Sequence, residues 1–298
     1  MRLVGTLVRR NLRGYWRDPM TVFFSVLGPL ILFILFVIFY RDQVSNLIVN
    51  TISGATLDDA HTLCDEWLFA SVTAMATFTS SVGLLTGFVD DRSTGRFSDY
   101  LVAPVRRWQL TVGYVMSSLI VSVVLSSLIV VLGQGWALAY REPLLSGSQD
   151  LRIIGGVVVA CLFFSAFNTL VVTFTATQGS FGGYFIIMGT AMGFLAFCYV
   201  PPASLPDGVN SFLSVLPFAQ VAALLRTPAM EPAIDILMKP ITDETMRDKA
   251  QSGISHDLAM SLSAYGNDLS VAWMIGSIAI LTVVLAVAGT WRMGRVIR

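Results

Sequence analysis

Long apolar stretches dominate the pattern of hydrophobic and polar positions along the chain. Six stretches contain no Asp, Glu, Lys, Arg or His, and they cover residues 20–40, 67–89, 110–140, 153–177, 178–200 and 269–290. Each is long enough to cross a hydrocarbon core of about 30 Å as a helix, which takes roughly 20 apolar residues. The short alternating segments of a membrane β-barrel are absent. The pattern predicts an all-α integral membrane protein with six transmembrane helices.

The segment before the first apolar stretch has a different pattern. Its apolar residues recur at helical spacing with arginines in the gaps, and they are Leu3, Leu7, Val8, Leu12, Tyr15 and Trp16. This pattern is typical of an amphipathic helix in the membrane interface. We therefore predict an interfacial helix within residues 1–19. The alternative is a simple positively charged flank to the first span.

The segment 201–268, before the last apolar stretch, is long and begins with a proline-rich region. Phe212 to Leu225 is apolar, but it is short for a crossing and Pro217 interrupts it. We predict a broken helix that dips into the outer leaflet rather than a seventh span.

Composition and charge agree with a membrane protein and indicate its orientation. Hydrophobic residues make up 55% of the chain and charged residues only 13%, against about one quarter charged in soluble domains. The net charge is zero, which argues against a nucleic-acid partner. Placing both termini in the cytoplasm puts twelve basic residues inside and seven outside, as the positive-inside rule requires. We predict a multi-pass protein of the cell membrane, with residues 291–298 as a cytoplasmic tail.

Several kinds of chemistry are missing from the sequence. A P-loop needs a lysine directly after a glycine, and neither Lys239 nor Lys249 has one. His61 and His256 lie in predicted outer loops, and the apolar stretches carry no ionisable residue, which argues against an ion-coupled carrier. We predict no catalytic residue, metal site or cofactor on this chain. A catalytic or metal-binding role for the acidic residues near His61 remains the alternative.

The order of elements resembles the type-2 export permease family of ATP-binding-cassette transporters over essentially the whole chain. Two stretches carry the resemblance. The inner loop DDRSTGRFSDYLVAPVRRWQL, residues 90–110, is similar to the charged loop of the family. The outer stretch LPDGVNSFLSVLPFAQVAALLR, residues 205–226, is similar to its Leu-Pro…Pro…Arg signature, although Gln220 departs from it.

The resemblance implies a single permease domain over residues 1–298. It implies a dimer with a second permease, either itself or a paralogue, and two copies of a separate ATPase subunit that bind ATP and Mg. The expected function is export of a hydrophobic or amphipathic cargo such as a drug, a lipid or a lipid-linked molecule. The alternatives are a membrane interaction or signalling protein that transports nothing, and an ion-coupled carrier.

The inner loop, residues 90–109, is the expected ATPase-coupling segment. Arg96 belongs to a predicted short helix on which Phe97, Tyr100 and Leu101 share one face. We expect this face to contact the ATPase. The alternative is contact with lipid or with the N-terminal helix.

The resemblance further implies that the second and fifth spans line the transport path. The candidate path residues are Thr73, Thr77, Ser80, Phe181, Tyr184 and Phe185. From chemistry alone, small and hydroxyl residues also suit plain helix packing.

The outer segment is the expected gate. Pro217 and Phe218 stand at its break, and Arg226 is expected to end its second half-helix near the interface, where a cation favours the helix dipole. The alternative is a passive cap that only anchors the last span.

Overall fold

The computed structural model of the protein describes residues 2–39, 41–52, 54–97, 106–140 and 144–296. The described residues form eleven α-helices, a 3-10 turn at Pro202–Ser204 and a small antiparallel hairpin of β1 (Ser263–Ala264) and β2 (Asn267–Asp268). In chain order the helices are α1 (Arg2–Arg17), α2 (Pro19–Phe39), α3 (Arg41–Thr51), α4 (Leu57–Ser93), α5 (Arg107–Tyr140), α6 (Gly147–Val172), α7 (Gln178–Leu195), α8 (Asp207–Val215), α9 (Pro217–Met238), α10 (Glu244–Asp257) and α11 (Val271–Val296).

The all-α membrane architecture is confirmed. Five helices, α2, α4, α5, α6 and α11, are long and apolar enough to cross a membrane, and the bent pair α8–α9 makes a possible sixth. The predicted fifth crossing corresponds to α7, whose 18 residues span about 27 Å. Its polar start at Gln178 and its glycines lower its mean hydropathy, so length and composition alone do not include it among the five. That α7 forms the fifth crossing stays a prediction.

Helix α4 is the centre of the bundle. It has 37 residues and extends well beyond the predicted stretch 67–89 at its N-terminal end. That extension is capped, since Thr56 and Asp59 form a reciprocal capping box. Helices α2, α5, α6, α7 and α9 pack around it, so most of its side chains are buried.

The predicted N-terminal helix is confirmed as α1. One face of α1 lies on α5, where Leu7 is buried and a Cβ placed at Gly113 would come within 3.1 Å of the Leu7 Cβ. Asp18 alone separates α1 from α2. The interfacial position of α1 stays a prediction.

The outer segment contains the predicted break. Leu216 is extended, with ψ at 141°, and Pro217 then starts α9 at the position where proline suits a helix. The two helices meet at 84°. Phe218 packs on Phe163 and Phe164, which lie near the middle of the apolar stretch 153–177. The break therefore packs beside the middle of this apolar stretch, and its depth in the membrane stays a prediction.

Candidate functional site

A cleft opens between α2, α4 and α7 and widens toward α1. The part on the α1 side, which we call the mouth, has a volume of about 570 Å³, and the part farther along α4 and α7, which we call the deep part, about 200 Å³. The two parts share Thr21, Gly83, Thr86 and Gln178, so they adjoin each other. We call the pair the α2–α4–α7 cleft.

The two ends of this cleft differ in chemistry. The charged residues of the mouth are Arg10, Asp18, Asp90, Asp91 and Arg96. The deeper part carries apolar groups and no charge, and its apolar lining residues are Phe24, Val82, Gly83, Phe181, Gly182 and Phe185. A molecule with a polar head and an apolar body would meet matching surfaces along this space.

Gly83 brings α2 close to α4 at the side of the cleft. A Cβ at this position would lie 2.5 Å from the Ser25 hydroxyl oxygen, so only glycine permits the approach. Ser25 also accepts a hydrogen bond from Tyr15, with 2.9 Å between the two oxygens. This contact ties α1 to α2 at the cleft.

Asp91 joins three segments at the mouth. Arg10 of α1 and Tyr114 of α5 both donate hydrogen bonds to its carboxylate, and Arg96 donates from the inner loop at 3.3 Å. The Asp91 side chain is only 5% exposed. Such charge-assisted hydrogen bonds are stronger than neutral ones, so Asp91 links the inner loop to the N-terminal helix.

Asp18 is an exposed acidic group of the mouth. Thr21 donates to its carboxylate from the backbone nitrogen at 3.2 Å and from the hydroxyl at 2.6 Å. These hydrogen bonds hold the pKa of Asp18 below its ordinary value. The mouth therefore keeps a negative charge beside Arg10.

The inner loop is described as far as Phe97. Arg96 is exposed and pairs with Asp90 at 3.1 Å. Phe97 is only 4% exposed and packs on Phe88 and Tyr114, with ring centroids 5.2 Å and 6.5 Å away. Its side chain is thus covered by the same chain, which differs from the expected exposed docking face.

A glycine accounts for the position of Phe97. Gly95 follows the last turn of α4 with φ at +73°, a left-handed conformation that turns the chain back on the helix it leaves. Tyr100 and Leu101 lie outside the described residues, and their contact with an ATPase stays a prediction.

The three path candidates on α4 are buried between helices. Thr73, Thr77 and Ser80 are at most 3% exposed, and each hydroxyl donates to a carbonyl of its own helix. Ser122 of α5 donates to the Thr77 carbonyl at 2.7 Å. None of the three borders the α2–α4–α7 cleft, and Thr73 lines a separate small cavity with Phe69 and Leu225. That they line the path stays a prediction.

The candidates on α7 divide between two faces. Phe181 and Phe185 border the deep part of the cleft. Tyr184 turns away from it and donates to the side-chain oxygen of Asn168 on α6. Asn168 in turn donates to the Ser81 hydroxyl at 2.6 Å, so Tyr184 belongs to a buried polar contact between helices.

The expectation for Arg226 is wrong. It does not end the second half-helix, because α9 continues to Met238, and its side chain is completely buried. Its guanidinium donates to the Ser71 hydroxyl at 2.8 Å and to the Ala196 carbonyl at 2.9 Å. The face of Trp67 lies 5.4 Å from its central carbon.

Arg226 has backbone carbonyls rather than a carboxylate of the described residues as its acceptors, and its Nη1 has no hydrogen-bond partner among them. No described residue forms an ion pair with it. Its main acceptors are the carbonyls of Ala196 and Phe197, at the C-terminal end of α7 where the helix dipole is negative. The cation therefore meets the negative end of the α7 dipole, whereas the sequence suggested the C-terminal end of α9.

Phe218 is also directed into its own chain. It is 9% exposed and lies among Phe163, Phe164 and Phe167 of α6, with ring centroids 5.7–6.0 Å away. Its ring is therefore covered by the same chain. Pro217 is the first residue of α9, directly after the break.

The acidic residues near His61 have structural partners. Asp65 is 1% exposed. Its carboxylate accepts a hydrogen bond from Arg41 at 2.6 Å and another from Trp136 at 2.9 Å. His61 lies 3.1 Å from Asp42. Within the described ranges, no group of three His, Cys, Asp or Glu residues could hold a metal ion.

Sequence reasoning missed the part that Asp91 and Tyr114 play at the mouth. The paired acidic residues Asp90 and Asp91 directly after an apolar stretch were a signal, because a carboxylate there needs a partner. The partner Arg10 lies 81 positions earlier in the chain, where spacing gives no indication of contact.

A family model described as ABC-2 type transporter matches residues 2–228. The match covers the chain from α1 into α9, and it includes the cleft, the described part of the inner loop and Arg226. No curated protein matches the chain.

Proposed function

Because the chain belongs to the ABC-2 type transporter family, we propose that it is the membrane-spanning permease subunit of an ATP-driven exporter. The family and the five or six apolar helices make the chain a membrane-embedded transport permease. Export, the cargo class and the assembly are the further steps of the proposal.

The two-ended chemistry of the α2–α4–α7 cleft is the observation that carries this proposal. An amphipathic cargo would place its polar head among Arg10, Asp18 and Arg96 and its apolar part against Phe181 and Phe185. The absence of charge in the deep part argues for a drug, a lipid or a lipid-linked molecule rather than an ion.

Energy for export would come from separate subunits. Residues 1–298 contain no P-loop, so ATP and Mg would bind to two copies of a partner ATPase. The inner loop, residues 90–109, offers the contact, with Tyr100 and Leu101 as the proposed docking residues. Asp91 would then pass movement of the loop to α1, because Arg96 and Arg10 share its carboxylate.

The outer end of the path would be closed by the broken helix. Phe218 holds the break against α6, and Arg226 holds α9 against the end of α7. For the path to open outward, we propose that these two contacts separate. A second permease, either the same chain or a paralogue, would complete the path from the other side.

Reconstitution with an ABC-type ATPase subunit tests the proposal. The two proteins are placed in liposomes with a fluorescent amphipathic lipid, and transfer of the lipid across the membrane is followed after ATP is added. Transfer that requires ATP, and that stops when the P-loop lysine of the ATPase is replaced, is the expected result. Transfer driven by an ion gradient without ATP would contradict it, and so would no transfer of any amphipathic probe by a complex that hydrolyses ATP.

A further inference from the structure

Helix α1 has two different faces. One face is seated on the protein, where Leu7 contacts Gly113 and Asn11 donates to the Ser117 hydroxyl at 3.3 Å. The opposite face carries three exposed arginines at intervals of four residues, Arg9, Arg13 and Arg17. Residues at this spacing lie above one another along a helix. We call this set the α1 arginine face.

Among the residues that the structure describes, the three arginines have no acidic partner. No carboxylate of the described residues forms an ion pair with any of them. The helix itself contains no Asp or Glu. Arg10 shows the contrast, because it points to the protein side and pairs with Asp91. Three neighbouring cations without counter-charges repel one another, so an anion bound across them would stabilise the face.

The surface between these arginines is partly apolar. A shallow groove of about 760 Å³ follows the helix, and its lining residues are Gly5, Val8, Arg9, Leu12, Arg13, Trp16 and Arg17. Trp16 is 49% exposed at the end of the groove. Indole rings with one apolar and one polar side favour the membrane–water interface.

We propose that the α1 arginine face binds the phosphate headgroups of anionic phospholipids in the cytoplasmic leaflet. Guanidinium groups match phosphate with paired hydrogen bonds. Only Asp18 separates α1 from α2, which enters the membrane, so the face lies at the level of the headgroups. Leu12 and Trp16 would contact the glycerol and upper acyl region, which a soluble acidic partner would not offer. Such binding would hold α1 on the membrane while its other face keeps Arg10 at the mouth of the cleft.

A lipid-binding measurement on the detergent-purified protein tests this inference. The probes are short-chain fluorescent phosphatidylglycerol and the matching phosphatidylcholine, titrated at low salt. The variant combines Arg9→Gln, Arg13→Gln and Arg17→Gln. A matched control removes three exposed cations elsewhere, with Lys239→Gln, Arg247→Gln and Lys249→Gln, which are all exposed. A second variant replaces the same three arginines of α1 with lysine.

Each basic residue near an anionic surface contributes about 1 kcal/mol, which corresponds to about fivefold in affinity. The glutamine variant should therefore bind phosphatidylglycerol at least about tenfold more weakly, with phosphatidylcholine binding unchanged. The lysine variant and the matched control should bind phosphatidylglycerol with nearly the affinity of the parent protein. Equal phosphatidylglycerol affinity in the glutamine variant and the parent would overturn the inference, as would an equal loss in the matched control. It is overturned as well if the glutamine variant loses the partner ATPase on co-purification but keeps its affinity for phosphatidylglycerol.

Discussion

Arg226 on α9 donates a hydrogen bond to the carbonyl of Ala196, 2.9 Å away and 30 positions earlier in the chain. The carbonyl belongs to the end of α7, so this bond joins the broken outer helix to the helix that borders the cleft. The guanidinium is completely buried. Its hydrogen bonds therefore join α9 directly to the end of α7.

The first prediction follows from these contacts. Arg226→Met leaves the carbonyls of Ala196 and Phe197 and the Ser71 hydroxyl without their donor, and each buried group left unpaired costs about 1–3 kcal/mol. We expect a lower melting temperature of the purified protein and faster maleimide labelling of Cys198, which is buried beside Arg226. Arg226→Lys keeps the charge, so its melting temperature and its rate of Cys198 labelling should lie between those of the parent and of Arg226→Met.

The control for this prediction is Arg247→Met, which removes an exposed cation of α10. Its melting temperature should equal that of the parent, and its Cys198 should stay unreactive toward maleimide. If Arg226→Met melts at the parent temperature with Cys198 still protected, the contact does not hold the outer end.

The second prediction separates two roles in the inner loop. Phe97→Ala removes a buried ring between Phe88 and Tyr114, and such a change costs about 3–5 kcal/mol. It should lower the melting temperature. Tyr100→Ala combined with Leu101→Ala should leave the melting temperature unchanged and reduce co-purification of the ATPase. Normal transport by a well-expressed Tyr100–Leu101 double variant would remove these two residues from the interface.

The third prediction concerns the carboxylate at the mouth. Asp91→Asn keeps the shape of the side chain but removes the charge that holds Arg10 and Arg96. We expect the variant to bind the ATPase and hydrolyse ATP while it moves less cargo per ATP. Asp90→Asn, which loses only the exposed pair with Arg96, is the matched control. An unchanged ratio of cargo to ATP in Asp91→Asn would show that Asp91 does not link the loop to α1.

The fourth prediction tests orientation. Ser93 at the inner end of α4 and Ser252 on α10 are both exposed, and the positive-inside rule places them on opposite sides of the membrane. Engineered cysteines at these positions should differ in their reaction with an impermeant maleimide applied to intact cells, with only the one at 252 labelled. The three native cysteines are buried. Labelling at position 93 from outside would overturn the topology.

The sequence was sufficient where local physics decides the structure. A helix that crosses lipid must be apolar along its length, so the positions of α2, α5 and α11 could be predicted. The break before Pro217 could also be predicted, since proline restricts the residue before it. The extension of α4 back to Leu57 could not, because polar residues fill its first turns.

The candidate site depended on contacts between distant parts of the chain. Arg226 is stabilised by Ser71, which lies 155 positions away, and neither residue identifies the other in the sequence. The hydroxyls of α4 were consistent with either a path or packing, and the sequence could not show that α5 lies beside Thr77. The aromatic wall of the cleft at Phe181 and Phe185 was predicted, but the charged mouth formed by Arg10 and Asp91 was not.

The claim that cargo passes through the α2–α4–α7 cleft has a direct test in a pair of glycines. Gly182 of α7 borders the deep part of the cleft, and Gly276 of α11 lies outside it. A Cβ placed at either position would meet no heavy atom within 4 Å. Neither position therefore opposes a Cβ, and we expect only the leucine of Gly182→Leu to project into the cleft.

The decisive measurement is ATP-dependent transfer of a fluorescent amphipathic lipid by these two variants, reconstituted with the same ATPase and at equal protein levels. If the leucine raises the barrier to passage by about 1–3 kcal/mol, the rate of transfer falls roughly five- to more than a hundredfold. Gly182→Leu should slow transfer at least about fivefold and melt like the parent, while Gly276→Leu transfers at the parent rate. Equal transfer by the two variants would contradict a path through the cleft.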